Sequence, residues 1–258
     1  RSTELATAVC EKLGVEPEFV EINWDTKETE LAAKSIDCIW NGLTLTDDRE
    51  ENMACTKPYV KNAQVVVVKD GTDYTSTADL IGKTVVAEAG SAGETTITEN
   101  ADLSQADYIA KSVQTDCLME VAAGTSDAAV IDLLMAGAMI GPDTSYPNLT
   151  YTDSLTQEEY GIGCRQGSDL ADFITSVLAE AYQDGTTQTL ARQFGVREDL
   201  LVELPQTSYT QDAAGDVAYI QNKGTLVVGI TEFAPMDYKD DSRSEERRVG
   251  KECLRLCR

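Results

Sequence analysis

The chain has 258 residues, enough for one large domain or two small ones with real cores, and 42% of them are hydrophobic, as in a globular protein. A formal net charge of −24 argues against nucleic-acid binding, which uses basic faces, and against an anionic membrane surface. The absence of histidine excludes His-based metal sites and Ser-His or Cys-His catalysis, and no apolar run reaches the roughly 18 residues of a membrane span.

No secretory signal peptide opens the chain. Cysteines stand at 10, 38, 55, 117, 164, 253 and 257, with no C-x-x-C spacing, so a zinc ribbon or a thioredoxin-like centre is not expected. Cys10 falls on a helix and Cys38 and Cys164 in apolar strands, where free thiols behave as small hydrophobes. Disulfide pairing remains open for them, although seven cysteines cannot all pair within one chain.

The predicted elements alternate. Leu5, Val9 and Leu13 mark a first helix that Gly14 ends. A strand follows with Val20, Ile22 and Trp24 on one face, then a helix over 25–34 and a short apolar strand, 36–40. That strand opens the stretch IDCIWNGLTLTDDRE, which runs through a glycine and two threonines into an acidic turn carrying Arg49. Gly42 can expose its carbonyl there, Thr44 and Thr46 offer hydroxyls, and a guanidinium can grip a carboxylate through two parallel bonds. QVVVVK at 64–69 reads as a continuously buried strand. A second strand–helix series starts at GKTVVAEAGSAGE and continues through SDAAVIDLLMAGAMI. The strand EEYGIGCR leads into a long helical tail, SDLADFITSVLAEAYQDGTTQTLARQFG. Strands alternating with helices imply the α/β class and parallel sheets, whose ligands sit at the carboxyl ends of strands.

The stretch IDCIWNGLTLTDDRE closely resembles the first-lobe ligand loop of bacterial extracellular solute-binding proteins, family 3, the polar amino-acid receptors of ABC importers. The resemblance implies a two-lobe, type II periplasmic-binding-protein-like (Venus flytrap) fold. Strands near 64–70 and 152–162 would cross between the lobes, with lobe one formed by 3–68 plus 154–241 and lobe two by 69–153. It also implies that Arg49 binds the ligand's α-carboxylate. AEAGSAGE resembles the family's second-lobe anion site, so the backbone N–H groups of Ser91 and Ala92 would meet the same carboxylate at a helix start. Asp132 matches the aspartate that pairs with the ammonium, completed by the Gly42 carbonyl and the Thr44 hydroxyl. Phe233, Trp24 and Glu88 would face the ligand side chain. Trp40 and Tyr238 read as either core or contact. No cofactor and no metal are implied. The partners would be a free amino acid and an importer permease, for a monomer outside the cytoplasm.

The family's first strand is missing from the start of the chain, but 216–241, DVAYIQNKGTLVVGITEFAPMDYKDD, resembles the mature amino terminus of the same family. The order reads as a circular permutation joined by a linker over 205–215, or as most of one domain followed by the start of a tandem copy. RSEERRVGKEC resembles translated sequencing adapter, so 243–258 is expected to be non-native. Two other functions stay open. A cyclohexadienyl-dehydratase-like enzyme would need Glu88 or Asp132 as its general acid, and a sensory input domain would need a following membrane helix.

Overall fold

The structure, a computed structural model, describes residues 2–237. Tyr238, the end of the 216–241 segment and residues 243–258 lie outside the described residues.

The first half-dozen elements are α1 (Ser2–Leu13), β1 (Glu16–Glu21), α2 (Lys27–Ala32), β2 (Cys38–Thr44), α3 (Asp47–Asn52) and β3 (Ala54–Cys55). Then come β4 (Val60–Asn62), β5 (Gln64–Lys69), β6 (Thr84–Glu88), α4 (Ala92–Glu99), β7 (Asp107–Lys111), α5 (Gln114–Ala123) and β8 (Ala128–Asp132). The chain continues through α6 (Leu133–Met139), β9 (Leu149–Ser154), β10 (Glu158–Cys164), α7 (Leu170–Gln183) and α8 (Thr186–Gln193). It closes with α9 (Asp216–Lys223) and β11 (Thr225–Ile230). Gly14 takes φ +71°, the left-handed turn that stops α1. Gly185, at φ +85°, breaks the expected long helical tail into α7 and α8.

Two sheets define two lobes. The first runs β1-β11-β2-β10-β3, with β4 also paired to β10, and the second runs β7-β6-β8-β5-β9. The parallel sheets expected from the alternation are mixed sheets. β10 is antiparallel to β2 in the first, and β5 is antiparallel to β8 and β9 in the second. The crossover comes at Ala63, between β4 and β5, not after Val68, because QVVVVK pairs throughout with second-sheet strands. The return crossover lies between β9 and β10.

β11 pairs in parallel with β1 from Glu16↔Thr225 to Glu21↔Ile230 and with β2 at Val228↔Cys38. Its run TLVVGI fits a parallel strand covered on both faces, and Leu226 and Val228 are fully buried. Polar contacts hold the segment as well. The buried Asp37 carboxylate receives Lys223 Nζ at 2.6 Å, the Val227 N–H at 2.8 Å and Arg165 at 2.7 Å, and Arg165 also donates to Asp216 at 2.7 Å. A buried carboxylate supplied with this many donors is stabilised only while all of them stay in place. The 205–215 connection has no helix or strand. Tyr209 packs edge-on against Phe173 of α7 and its hydroxyl donates to Asp169 at 3.1 Å.

Cys10, Cys38, Cys117 and Cys164 are buried free thiols, and burial raises each thiol pKa above its usual value.

Candidate functional site

The carboxyl ends of β2, β6 and β8 meet where the two lobes face each other. Along β2, Trp40 turns into the core and is fully buried, so it is a packing residue. The sheet continues beyond the expected end of this strand, because Leu43 and Thr44 pair with Gly161 and Tyr160 of β10. Gly42 therefore lies in a strand, at φ +58°, and a Cβ there would come within 2.9 Å of the Phe233 ring. Only glycine fits that position without strain. Thr46 caps α3 by accepting the Arg49 N–H at 3.2 Å, which fixes the start of the arginine's helix.

Arg49 is buried and reaches across the cleft. Its Nη1 donates to Thr44 O at 2.7 Å and its Nη2 to Gly90 O of lobe two at 3.1 Å. Burial lowers its pKa, against the opposing pull of Asp132. A guanidinium stays charged in proteins, and these two bonds leave three of its five N–H groups for another acceptor.

β6 ends at Glu88, and a tight turn through Gly90, at φ +71°, leads into α4. Ser91 caps that helix, accepting the Glu94 N–H at 3.1 Å. Its own N–H, expected to face a ligand, donates instead to Glu88 O at 3.2 Å and closes the turn. Ala92 opens α4, where first-turn N–H groups have no acceptor within the helix. Glu88 is buried, and desolvation, with the Asp132 charge nearby, pushes its carboxyl up to about 8. It is therefore mostly protonated at neutral pH.

Asp132 is the last residue of β8 and is buried. Its Oδ1 accepts Asn62 at 2.5 Å and Gln64 at 2.8 Å, and its Oδ2 accepts Gln114. Burial, then the neighbouring Glu158 carboxylate, pushes it up to about 6.

All nine candidate residues line one cleft: Trp24, Gly42, Thr44, Arg49, Glu88, Ser91, Ala92, Asp132 and Phe233. Trp24 sits in a 3-10 turn after β1, not on the strand as expected. Two further lining residues, Asn41 and Gln114, were not foreseen. Neither was Lys27, buried at the start of α2, whose Nζ donates to Gly90 O at 3.3 Å and lies 4.7 Å from the centre of the Trp24 ring. Burial and then Arg49 bring its pKa down to about 8. Asn41 alternates with Trp40 along β2, so the strand's period of two would have found it. Lys27 carries no such signal. With Arg49 and Lys27 both bonded to Gly90 O, the lobes are drawn together.

The cleft brings a cationic fork from one lobe and a buried carboxylate from the other to one place. The family model for bacterial extracellular solute-binding proteins, family 3, matches residues 2–197. The chain belongs to that family. Among its relatives, the histidine-binding periplasmic protein of Salmonella typhimurium is 27% identical over 202 residues, covering 74% of this chain and 76% of that protein. The crystal structure of Tv2483 bound to L-arginine is 30% identical with a TM-score of 0.70, covering 78% of this chain and 82% of that one. An ABC uptake transporter substrate-binding protein from Streptococcus pneumoniae with bound histidine is 29% identical with a TM-score of 0.67, covering 78% and 84%. The two-lobe type II fold expected from the sequence is the fold of these solute-binding proteins. As members of an extracellular family, they place this receptor outside the cytoplasm.

Proposed function

We propose that this solute-binding protein closes its two lobes around a free polar amino acid and delivers it, as a monomer, to the permease of an ABC importer. The observation that carries this is the convergence of Arg49 from lobe one and Asp132 from lobe two on a single cleft. A zwitterion entering it must exchange both hydration shells for fixed partners. Arg49 and the Ala92 N–H would take the carboxylate. Asp132, the Gly42 carbonyl and the Thr44 hydroxyl would take the ammonium. Phe233, Trp24 and Glu88 would contact the side chain, a set that favours a polar or cationic amino acid. The same groups bind and do not turn over: Asp132 is held by three amide donors, a setting for a fixed counter-charge, not for a general acid.

The chain order is read as permuted, with β11 serving as the first strand of its own lobe. The in-register pairing of β11 between β1 and β2 supports this, and a tandem copy would supply the same strand from another chain.

A thermal-shift screen over the twenty amino acids tests the receptor reading. Ligand at 100 times its dissociation constant should stabilise by about 2.7 kcal/mol. No shift with any of the twenty, in protein stripped of ligand by unfolding and refolding, would overturn it.

Closure itself can be blocked at one position. A Cβ on Gly90 would lie 2.8 Å from Asp25 Oδ1 and 3.0 Å from Asp25 Cα, with φ already at +71°. Gly90→Ala should therefore weaken amino-acid affinity about tenfold or more, because the lobes cannot meet without strain of at least about 1.4 kcal/mol. Calorimetric titration checks this, and affinity within twofold of wild type would mean that closure does not pass through this contact.

A further inference from the structure

Glu158 is not among the residues that line the cleft, yet it connects them. It is the first residue of β10, directly after the second crossover. Its Oε1 accepts the Thr44 hydroxyl at 3.1 Å, Asn62 Nδ2 at 2.6 Å and Gln64 Nε2 at 2.7 Å. Asn62 and Gln64 flank the first crossover and donate to Asp132 Oδ1 at the same time. Thr156, from the second crossover, donates its hydroxyl to Glu158 Oε2 at 3.2 Å and accepts the Gln64 N–H at 2.9 Å. Both interlobe connections therefore meet at a pair of carboxylates that share two amide donors.

We propose that Glu158 is a positioning residue that makes Asp132 take up a proton more readily in the unliganded receptor, so that proton and ligand ammonium compete for the same carboxylate and affinity falls in mildly acidic surroundings. This rests on the reading of Asp132 as the ammonium partner.

Burial raises Asp132 first, and the charge of Glu158 adds to it. Two carboxylates tied to the same amides repel each other, and this disfavours double ionisation. A ligand ammonium supplies the missing positive charge and takes the proton's place. Glu158 has a second effect. Thr44 spends its only hydroxyl proton on Glu158, so its oxygen can only accept, which is what an ammonium needs.

The other charged groups facing this pair do not titrate in the same window. Arg49, from α3, stays charged. Glu88, on β6, and Lys27, on α2, both have midpoints near 8, so each is largely protonated by pH 7. Tyr160, on β10, is raised well above its usual value by burial. Asp132, pushed up to about 6, changes between pH 7 and 5. It is ionised and competent above its midpoint and protonated below it, so the apparent dissociation constant scales with the inverse of the ionised fraction.

The test is calorimetric titration of the full chain with L-arginine, whose own groups do not titrate in this range, at pH 7 and pH 5. Wild type should weaken about tenfold. Glu158→Gln keeps an acceptor oxygen but removes the repulsion, and its ratio between the two pH values should be less than about twofold. A uniform structural loss would move both values and leave the ratio alone. Carbon-13 carboxyl NMR titration of Asp132 without ligand should give a midpoint near 6 that falls by at least one unit in Glu158→Gln. A flat wild-type affinity, or an Asp132 midpoint unchanged in the variant, would overturn the proposal. The NMR measurement needs no ligand, so it decides the carboxylate pair even if L-arginine fails to bind and the receptor reading falls. If Glu158→Gln does not fold, Glu158→Ala takes its place in the same titration, where an unchanged Asp132 midpoint overturns the proposal, as does a wild-type midpoint at the ordinary aspartate value of about 4.

Discussion

Ending the chain at Leu204 should leave a protein that no longer folds as a monomer. The deletion removes Val217, Ile220, Leu226, Val228, Ile230 and Phe233, each no more than 6% exposed. At roughly 1.5–3 kcal/mol for each buried apolar side chain, the loss is on the order of 10 kcal/mol, comparable with the whole stability of a domain, about 5–15 kcal/mol. It also strips Lys223 and the Val227 N–H from the buried Asp37 carboxylate, a further several kcal/mol for a buried charge deprived of partners. The edges of β1 and β2 would be exposed, and unpaired hydrophobic edges aggregate. Gel filtration with circular dichroism checks the outcome. Aggregated or unfolded material is expected. A truncated protein that stays monomeric and binds an amino acid normally would show that β11 is dispensable, and a folded dimer of the full chain would favour strand exchange between copies.

Replacing Arg49 should remove amino-acid binding while leaving the fold in place. The arginine's own contacts are two bonds to carbonyl oxygens of Thr44 and Gly90, and the lobe cores do not rest on it. Ligand binding does, because a carboxylate desolvated without its fork loses on the order of 2–5 kcal/mol, roughly thirtyfold to several thousandfold in affinity. Arg49→Lys should also be impaired, since an ammonium is a point charge and cannot form two parallel bonds. The expected result is calorimetry with little or no heat for Arg49→Ala and a melting temperature within a few degrees of wild type. Near wild-type affinity would remove the carboxylate role from Arg49.

The sequence revealed the cleft more fully than the connections behind it. Arg49, Asp132 and the Gly42–Thr44 stretch could be read because each carries a distinctive residue type at or near the end of an apolar strand, where α/β sheets bind ligands. Phe233 could be read only through the resemblance of its segment, since an aromatic residue alone signals core as readily as contact. Asn62, Gln64, Gln114 and Glu158 were missed because uncharged amides and one acid among many read as solvated side chains until the two lobes fold over them. Lys27 was missed for a related reason: a lysine at a helix start reads as solvated, and its contacts with Trp24 and Gly90 show only in the folded chain. The lobe boundary shifted to Ala63 because a continuous apolar run records that a strand is buried but not which sheet buries it.

The most direct test of the account is the crystal structure of the protein with the amino acid that gives the largest melting shift. A single molecule is expected between the lobes, its carboxylate bonded to Arg49 and the Ala92 N–H and its ammonium to Asp132, the Thr44 hydroxyl and the Gly42 carbonyl. An amino acid bound elsewhere, or one held in this cleft with its carboxylate away from Arg49, would contradict it.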